Sequence, residues 1–386
     1  WGFVPFYTRS MVYTMPEFLE RRYNPQSRTI LSVISLVSYV LTKVAVTVYA
    51  GGLVFQQVFG IKELWGIDFF WIAAIGLVLL TALYTIFGGM KSVLYTSVLQ
   101  TPILLLGSLI ILVLGFKELG GWDEMMRVCG AVTVNDYGDT MTNLIRSNDD
   151  ANFPWLGALI GSAIIGFWYW CTDQFIVQRV LSGKNETEAR RGTIFGAYLK
   201  LLPVFLFLIP GMIAFALHQK YIGAGGEGFL PMLANGNANA DAAFPTLVAK
   251  LLPAGVKGLV VCGILAALMS SLASLFNSSA MLFTIDFYKR FRPETPEKKL
   301  VGIGQIATVV IVILGILWIP IMRSVGDVLY TYLQDVQSVL APGIAAAFLL
   351  GICWKRTSAQ GGMWGLISGM VIGLTRLGAK VYYSNA

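Results

Sequence analysis

A run of small polar residues two thirds of the way along the chain could bind a cation. Its members share a spacing of three or four residues: Ala267, Ser270, Ser271, Ser274, Asn277 and Ser278. Residues at this spacing lie on one face of an α-helix. Such a face often marks a close helix contact in a membrane, but hydroxyl and carbonyl oxygens can also replace the water shell of a small cation. The pattern by itself leaves both interpretations open.

Two charged residues lie deep within long apolar segments. Lys43 follows Arg28 by 15 residues, which is about 22 Å along a helix at about 1.5 Å per residue. A lysine at that depth costs roughly 2.5 to 3.5 kcal/mol unless a partner neutralises it. Asp173 is the only acid in its own apolar segment. We therefore predict an ion pair between Lys43 and Asp173, which either forms the wall of a site or fixes helix packing.

A further group of residues could bind an uncharged organic molecule. Lys200 and Gln334 offer hydrogen bonds, and Trp168, Tyr169 and Trp170 offer aromatic faces. Each has a structural alternative, because a lysine can extend to the membrane surface, an amide can join two helices and rings can form a packing belt.

Residues for hydrolytic or zinc chemistry are scarce. The 4 cysteines have no C-x-x-C or C-x-x-H spacing, and His218 is the single histidine. No zinc site, disulfide framework or Ser-His-Asp triad can be assembled from them. We expect a protein that is not an enzyme.

Membrane helices must position these residues. The 386 residues are 56% hydrophobic and 13% charged, about half the usual charged fraction, which excludes a soluble globular domain. Nine apolar segments are long enough to span a membrane: 29–57, 69–88, 93–116, 154–181, 193–216, 257–287, 300–321, 326–351 and 361–378.

Basic residues are distributed unevenly between the two sides of these segments. One side carries 16 lysines and arginines and the other carries 10. The richer side is cytoplasmic by the positive-inside rule, so the net charge of +7 reflects topology rather than nucleic-acid binding. The loops at 117–153 and 218–256 are then extracellular.

A capping motif precedes the first of these spans. Thr14-Met15-Pro16-Glu17 has the Ser/Thr-x-x-Glu spacing of a capping box, with proline early in the first turn. We predict that a short helix at the membrane interface begins there.

Several motifs, taken in order, resemble the sodium/solute symporter family and specifically its sodium/glucose cotransporter branch. The resemblance covers essentially the whole chain. It rests on Tyr13-Thr14-Met15-Pro16-Glu17-Phe18, Leu41-Thr42-Lys43, Gly88-Gly89 with Leu99-Gln100-Thr101, Trp168 to Gln174 with Gln178-Arg179, Tyr198-Leu199-Lys200-Leu201, Leu268-Met269-Ser270-Ser271 with Phe276-Asn277-Ser278, Phe283-Thr284-Ile285-Asp286, and Trp354-Lys355-Arg356.

The resemblance implies an all-α, multi-pass membrane protein with the LeuT-type fold of two inverted repeats. It implies sodium-coupled symport of a neutral sugar, such as a glucose-like or galactose-like hexose, by alternating access. Sodium is the coupling ion, and no other cofactor is expected. On this alignment residues 1–386 form a single transporter core that runs from the end of the second core helix to about the eleventh, so the first core helix and most of the second are expected to be missing.

The same resemblance assigns the sodium ligands. Ala267 corresponds to a carbonyl ligand, and Ser270 and Ser271 correspond to hydroxyl ligands. Family members that couple two sodium ions resemble one another in having an aspartate and a further hydroxyl where this chain has Ser97 and Ala273. The resemblance therefore implies one sodium ion per sugar.

It also assigns sugar contacts. Lys200 and Gln334 correspond to sugar-contacting positions, and Tyr169 corresponds to the aromatic residue of the inner gate. Trp170 and Lys43 are expected beside the cavity. Tyr330 stands where the family often has phenylalanine near the outer gate, and Asp173 corresponds to an acid of the glucose branch.

Other functions on the same fold remain open. A sodium/myo-inositol symporter, an amino-sugar symporter and a non-transporting sugar sensor would use the same residue types. A channel is disfavoured because no pore-lining repeat is present. The expected location is a plasma membrane or a bacterial inner membrane, and the expected partners are sugar, sodium and lipid, without nucleic acid.

Overall fold

The computed structural model describes residues 2–150, 153–233, 236–325 and 329–384. Its α-helices in these ranges are α1 Phe3–Ser10, α2 Met15–Arg22, α3 Pro25–Ser38, α4 Ala45–Phe59, α5 Phe69–Leu119, α6 Trp122–Gly130, α7 Trp155–Phe167, α8 Gln174–Leu181, α9 Glu186–Leu199, α10 Ile209–Gly223, α11 Ala243–Leu251, α12 Ala254–Met281, α13 Lys289–Phe291, α14 Glu297–Val325, α15 Leu329–Cys353 and α16 Ala359–Ser384. A two-stranded antiparallel hairpin, β1 Glu63–Leu64 and β2 Ile67–Asp68, precedes α5.

Eight segments of the described chain are long and apolar enough to cross a membrane. They are Pro25–Phe59, Phe69–Ile86, Val93–Leu119, Trp155–Thr172, Glu186–Gly223, Ala254–Phe291, Glu297–Pro320 and Tyr332–Cys353. They coincide with the first eight predicted spans. The ninth, 361–378, falls in α16 and is not among them, because 6 glycines together with Arg376 and Lys380 lower the mean hydropathy of that helix.

Two predicted spans are interrupted in the middle. The span 154–181 consists of α7 and α8, with Asp173 in an extended conformation between them (φ −77°, ψ 121°). The span 193–216 is interrupted by a turn after α9, just before Pro203. Aspartate favours the N-cap position, and proline lacks the N–H that would bond to a carbonyl of the preceding turn. Both interruptions therefore have local causes in the sequence.

Four π-helical turns widen the helices within the described ranges: Tyr39–Val44, Trp168–Thr172, Val204–Leu208 and Leu282–Tyr288. Each π-helical turn bonds residues five apart instead of four, and such turns are frequent at functional sites. The first contains Lys43, and the second contains Tyr169 and Trp170. Four residues chosen from the sequence for their chemistry thus lie in π-helical turns: Lys43, Trp168, Tyr169 and Trp170.

Among the described helices, α12 and α5 form the most extensive contact. A Cβ atom on Gly263 of α12 would lie 2.9 Å from the side chain of Ile103, so glycine allows the two backbones to approach. Ser270, on the predicted small-residue face, contacts Ser97 of α5. The helix-contact interpretation of that face is therefore confirmed. The predicted spans 69–88 and 93–116 both belong to α5, whose backbone is helical throughout.

The predicted capping box is confirmed at the start of α2. The backbone N–H of Glu17 donates to Oγ1 of Thr14 at 3.2 Å. The Glu17 carboxylate in turn accepts a hydrogen bond from the backbone N–H of Tyr13 at 2.9 Å. Proline at position 16 fits the first turn because the first helical N–H groups have no partner within the helix.

The two loops predicted to be extracellular, 117–153 and 218–256, pack against each other. Their shared core consists of Met125, Cys129, Phe229, Leu230, Leu247 and Val248. Two lysines of the second segment donate to backbone carbonyls, Lys220 to Leu119 and Lys250 to Phe229, and Lys257, just after it, donates to Ala249. The described parts of both loops therefore belong to the packed fold, and the side of the membrane on which they lie stays a prediction.

Candidate substrate and cation site

A cavity of about 420 Å³ lies between α4, α7, α12 and α15. Ligand pockets commonly measure about 300 to 1,000 Å³, so this cavity can hold a molecule of monosaccharide size. Six residues selected from the sequence line it: Lys43, Tyr169, Trp170, Lys200, Ser271 and Gln334. Residues from five separate parts of the chain therefore converge on one space.

The ammonium group of Lys43 pairs with the carboxylate of Asp173. Their side chains are only 8% and 2% exposed. Nζ also lies 4.8 to 5.5 Å from four aromatic ring centres, those of Tyr39, Trp168, Tyr169 and Phe175. Aromatic faces attract cations, and a buried ion requires a hydrogen-bonded counterion. The rings and the carboxylate together stabilise a lysine that the bilayer would otherwise exclude.

Asp173 also accepts hydrogen bonds at the point where its span is interrupted. Its Oδ1 accepts hydrogen bonds from the Tyr39 hydroxyl at 2.5 Å and from the backbone N–H of Phe175 at 3.2 Å. The second contact caps α8, whose N-terminal dipole favours a carboxylate. The residue that breaks the span is thus also the residue that neutralises Lys43.

Lys200, Gln334 and Gln337 also line the cavity, and none of these three side chains forms a hydrogen bond to a residue that the structure describes. Lys200 follows the last residue of α9, and its Nζ lies 5.5 Å from the ring centre of Trp170. Gln337 was not selected from the sequence. It follows Gln334 by three residues, the spacing that places both on one helical face, and this signal could have revealed it.

Aromatic rings also line the cavity. Tyr169 and Trp170 meet edge to face, with ring centres 5.4 Å apart and an interplanar angle of 88°. Tyr169 is half-buried beside Lys43, whereas Trp170 is exposed. This position is compatible with the predicted gate role of Tyr169, which stays a prediction.

The predicted sodium ligands lie on one stretch of α12. Ser271 lines the cavity, and its hydroxyl makes no hydrogen bond within the described residues. Ser270 is buried, with its Oγ 2.5 Å from the Oγ of Ser97. Ala267 lies one turn earlier, outside the cavity lining. Neutral oxygens of this kind suit a small hard cation, so the residues fit sodium as a transported ion.

The positively charged side chain of Arg179 lies next to these serines. Nη2 of Arg179 donates to the Oγ of Ser274, which donates to the carbonyl of Ser270 at 3.0 Å. The guanidinium belongs to α8 and reaches α12 inside the bundle, because its long side chain can cross between the packed helices.

A second and larger cavity, of about 770 Å³, is lined by residues of α8 and α12 among others. Asn277, Met281 and Thr284 line it from α12 and the turn that follows, whereas Ser271 and Leu275 of α12 line the first cavity. The α8–α12 hydrogen bonds of Arg179 and Gln178 lie between the two spaces.

Tyr330, the predicted outer-gate residue, lies outside the residues whose side chains the structure describes. The same helix, α15, is anchored two residues later by Tyr332. The Tyr332 hydroxyl accepts from Nε1 of Trp318 at 3.0 Å and donates to the carbonyl of Leu41 at 2.8 Å. These hydrogen bonds fix the position of the part of α15 that carries Gln334 and Gln337.

Comparisons with known proteins match this chain to sodium symporters and cotransporters. Residues 1–369 match the family model described as the sodium:solute symporter family. The chain is 38% identical to the sodium/myo-inositol cotransporter 2 of Homo sapiens over 98% of this chain and 57% of that protein. It is 39% identical to the sodium/mannose cotransporter SLC5A10 of Bos taurus, over 98% and 64%. It is 37% identical to the sodium/glucose cotransporter 4 of Mus musculus, over 100% and 57%.

The chain therefore spans about three fifths of the length of these curated relatives. It is also similar to a solved structure of a Na⁺-coupled sialic acid symporter in a substrate-bound outward-open state. That similarity has a TM-score of 0.72 at 21% identity and covers 98% of this chain and 80% of the other. It establishes the LeuT-type fold of the helical bundle.

Proposed function

Because the chain belongs to the sodium:solute symporter family, we propose that it is a sodium-coupled symporter of a neutral sugar, with a glucose-like or galactose-like hexose as the leading substrate. One observation carries the proposal. The cavity is lined both by Lys200 and Gln334, whose side chains form no hydrogen bond to a described residue, and by the rings of Tyr169 and Trp170. A sugar ring offers hydroxyls at its edge and apolar C–H groups on its face, so it matches such a lining.

The charge of the cavity supports an uncharged substrate. The ammonium of Lys43 is neutralised by Asp173, which leaves Lys200 as the one unpaired charge among the described lining residues. A single lysine can donate to a hydroxyl but does not form the bidentate clamp that carboxylates and phosphates usually receive. It would repel a protonated amino sugar. Myo-inositol, another neutral ring with hydroxyls, remains the second candidate, and relatives named for myo-inositol, mannose and glucose support this substrate range.

Sodium is proposed to bind at Ala267, Ser270 and Ser271 of α12, of which Ser271 lines the cavity. Ser271 offers a free hydroxyl, and Ser270 becomes available when its contact with Ser97 is given up. Because α12 borders both cavities, an ion bound on this helix can bias which cavity is open, and such a bias is what couples ion binding to alternating access. We place the protein, as a multi-pass transporter, in a plasma membrane or a bacterial inner membrane.

Uptake into proteoliposomes tests this function. The full-length protein should accumulate labelled hexose or myo-inositol above the external concentration when a sodium gradient is imposed. It should not do so when choline replaces sodium. Saturable sugar binding without accumulation would identify a sensor instead, and the proposed transport function would be wrong.

Lys200→Ala should raise the half-saturating sugar concentration about tenfold at saturating sodium, since one charge-assisted hydrogen bond is lost. Lys184→Ala is the matched control, because Lys184 lines the second cavity instead. Unchanged sugar affinity in Lys200→Ala would mean that Lys200 extends to the membrane surface without touching substrate.

A further inference from the structure

The hairpin between α4 and α5 carries an exposed tryptophan at its tip. Trp65 is 84% exposed, and with Gly66 it forms the two-residue turn between β1 and β2. Its ring has no aromatic, cationic or hydrogen-bonding partner among the residues that the structure describes. Tryptophan has a large apolar ring system with one N–H donor, so it usually lies in a core or at a surface that is apolar on one side and wet on the other.

The backbone at this tip has a conformation that tryptophan disfavours. Trp65 has a φ of 56° and Gly66 has a φ of 75°. Positive φ angles at both central residues are typical of a type I′ turn, which favours Asn-Gly or Gly-Gly. Glycine suits the second position, but a bulky side chain with positive φ is strained. Strain of this kind concentrates at functional positions, so we expect the indole to have a partner outside the chain.

Hydrogen bonds fix the base of the hairpin to both helices. Oδ1 of Asp68 accepts hydrogen bonds from Nε2 of Gln56 in α4 and from the backbone N–H of Phe70 in α5, each at 2.9 Å. The backbone N–H of Phe69 donates to the carbonyl of Lys62 at 2.9 Å. The position of the tip is therefore set by the two helices.

The hairpin also joins two membrane spans. Pro25–Phe59 ends just before it, and Phe69–Ile86 begins just after it. Trp65 precedes Phe69 by four residues, which is at most about 14 Å at about 3.4 Å per residue. The headgroup layer is about 5 to 8 Å thick on each side of the hydrocarbon core. A hairpin that leans towards the membrane surface therefore places the indole in this layer, where tryptophan is enriched.

We propose that the α4–α5 hairpin is a membrane anchor whose tip residue, Trp65, inserts its indole among phospholipid headgroups. The same layer covers the other exposed apolar side chains near the hairpin, those of Phe59, Ile61 and Ile67. Because α4 lines the substrate cavity and α5 contacts α12, the anchor fixes the level of both helices relative to the bilayer.

Fluorine NMR of the full-length protein in phospholipid nanodiscs tests the proposal. Every tryptophan is replaced by 5-fluorotryptophan, and the resonance that is absent from Trp65→Asn belongs to residue 65. Asparagine is the matched substitution because a type I′ turn accepts it, so the hairpin is kept. Trp65→Phe identifies the same resonance if Trp65→Asn does not fold. The buried control is Trp168, which is 4% exposed and whose resonance is identified with Trp168→Phe.

Two paramagnetic probes then locate the indole. One is a phosphatidylcholine with a nitroxide at the headgroup end of an acyl chain, and the other is a water-soluble gadolinium chelate. The nitroxide lipid should broaden the Trp65 resonance about threefold or more, and more than the chelate does, because the indole lies among the headgroups. Neither probe should broaden the Trp168 resonance.

Two results would overturn the inference. A chelate effect on the Trp65 resonance that equals or exceeds the lipid effect would show that the tip stands in water. No effect of either probe would show that another protein surface covers the indole. The measurement needs neither sugar nor sodium, so its outcome is independent of the proposed transport function.

Discussion

At the scale of single residues, the Lys43–Asp173 pair shows how burial decides chemistry. The positions of Lys43 and Asp173, deep within their apolar segments, were enough to predict that these two residues pair. The four aromatic rings around the ammonium were not predictable, because their positions depend on how the segment of Lys43 and Tyr39 packs against the distant segment that contains Trp168, Tyr169 and Phe175. The rings make position 43 suitable for a positive charge and unsuitable for a negative one, since aromatic faces attract a cation and disfavour an anion.

This asymmetry leads to a prediction for paired variants. Lys43→Met or Asp173→Leu alone should lower the free energy of unfolding by about 3 to 5 kcal/mol, because each leaves one buried charge without its partner. Lys43→Met together with Asp173→Leu should recover part of that loss. The exchange of the two charges should not, because it places a carboxylate among the rings and a lysine at the N-terminus of α8. Thermal unfolding in detergent measures all four proteins, and a charge-exchanged variant as stable as the wild type would contradict this account.

The serine hydroxyls of α12 give a second residue-scale prediction. Ser271→Ala should weaken the apparent sodium affinity about tenfold or more with little loss of stability, because it removes a hydroxyl that has no partner among the described residues. Ser279→Ala is the matched control, since that hydroxyl is buried on the same helix without a described partner and lies outside both cavities. Sodium titration of sugar uptake makes the measurement. Wild-type sodium affinity in Ser271→Ala would show that the cation binds elsewhere.

At the scale of elements, apolar length predicted where eight spans lie but not how they are interrupted. Hydropathy averages over about 20 residues, so it does not register one extended residue such as Asp173 or a π-helical turn. The interruptions nevertheless have local signals: an N-cap aspartate, a proline at 203, and polar residues within apolar runs. Gln337 was missed for a related reason, because the α15 segment was read as residues in sequence instead of as a helical face.

The N-terminus of α15 depends on a side chain from a distant loop. The carboxylate of Asp241 accepts from the backbone N–H of Leu329, with 3.0 Å between Oδ2 and N. Burial raises the pKa of Asp241 above its ordinary value, and the Leu329 N–H opposes part of that shift. Because the folded protein then holds the proton more tightly than the unfolded chain, the free energy of unfolding falls as pH rises from about 4 through the raised pKa.

Two variants separate the cap from its charge. Asp241→Asn keeps an acceptor without the buried charge, so at neutral pH it should be at least as stable as the wild type. Asp241→Leu should lose about 1 kcal/mol, because the Leu329 N–H loses its acceptor. Asp136→Asn in an exposed loop position is the control. Melting temperatures at pH 5 and pH 7.5 measure the effect, and equal losses in the Asn and Leu variants would show that the hydrogen bond does not cap α15.

At the scale of the whole molecule, the number of coupled ions sets the sugar gradient that a symporter can maintain. The region next to the serine face of α12 is poor in cation ligands. Ser97 contributes a hydroxyl already bonded to Ser270, and Ala273 is fully buried without a polar group. Ser274, on the same face, already accepts a hydrogen bond from the guanidinium of Arg179. A second sodium ion would meet no carboxylate there and a fixed positive charge nearby, so its desolvation would not be offset.

We therefore predict that one sodium ion accompanies each sugar molecule. A single charge moving through 100 mV supplies about 2.3 kcal/mol, half of what two charges supply, so the electrical contribution to the attainable sugar gradient is correspondingly smaller. Simultaneous measurement of charge movement and labelled sugar uptake in the full-length protein gives the ratio directly. Ser97→Asp supplies the missing carboxylate beside Ser270 and serves as the comparison at the same membrane potential. A wild-type ratio near two charges per sugar would mean that ligands other than Ser97 and Ala273 hold another ion, and the electrostatic argument from Arg179 would then be wrong.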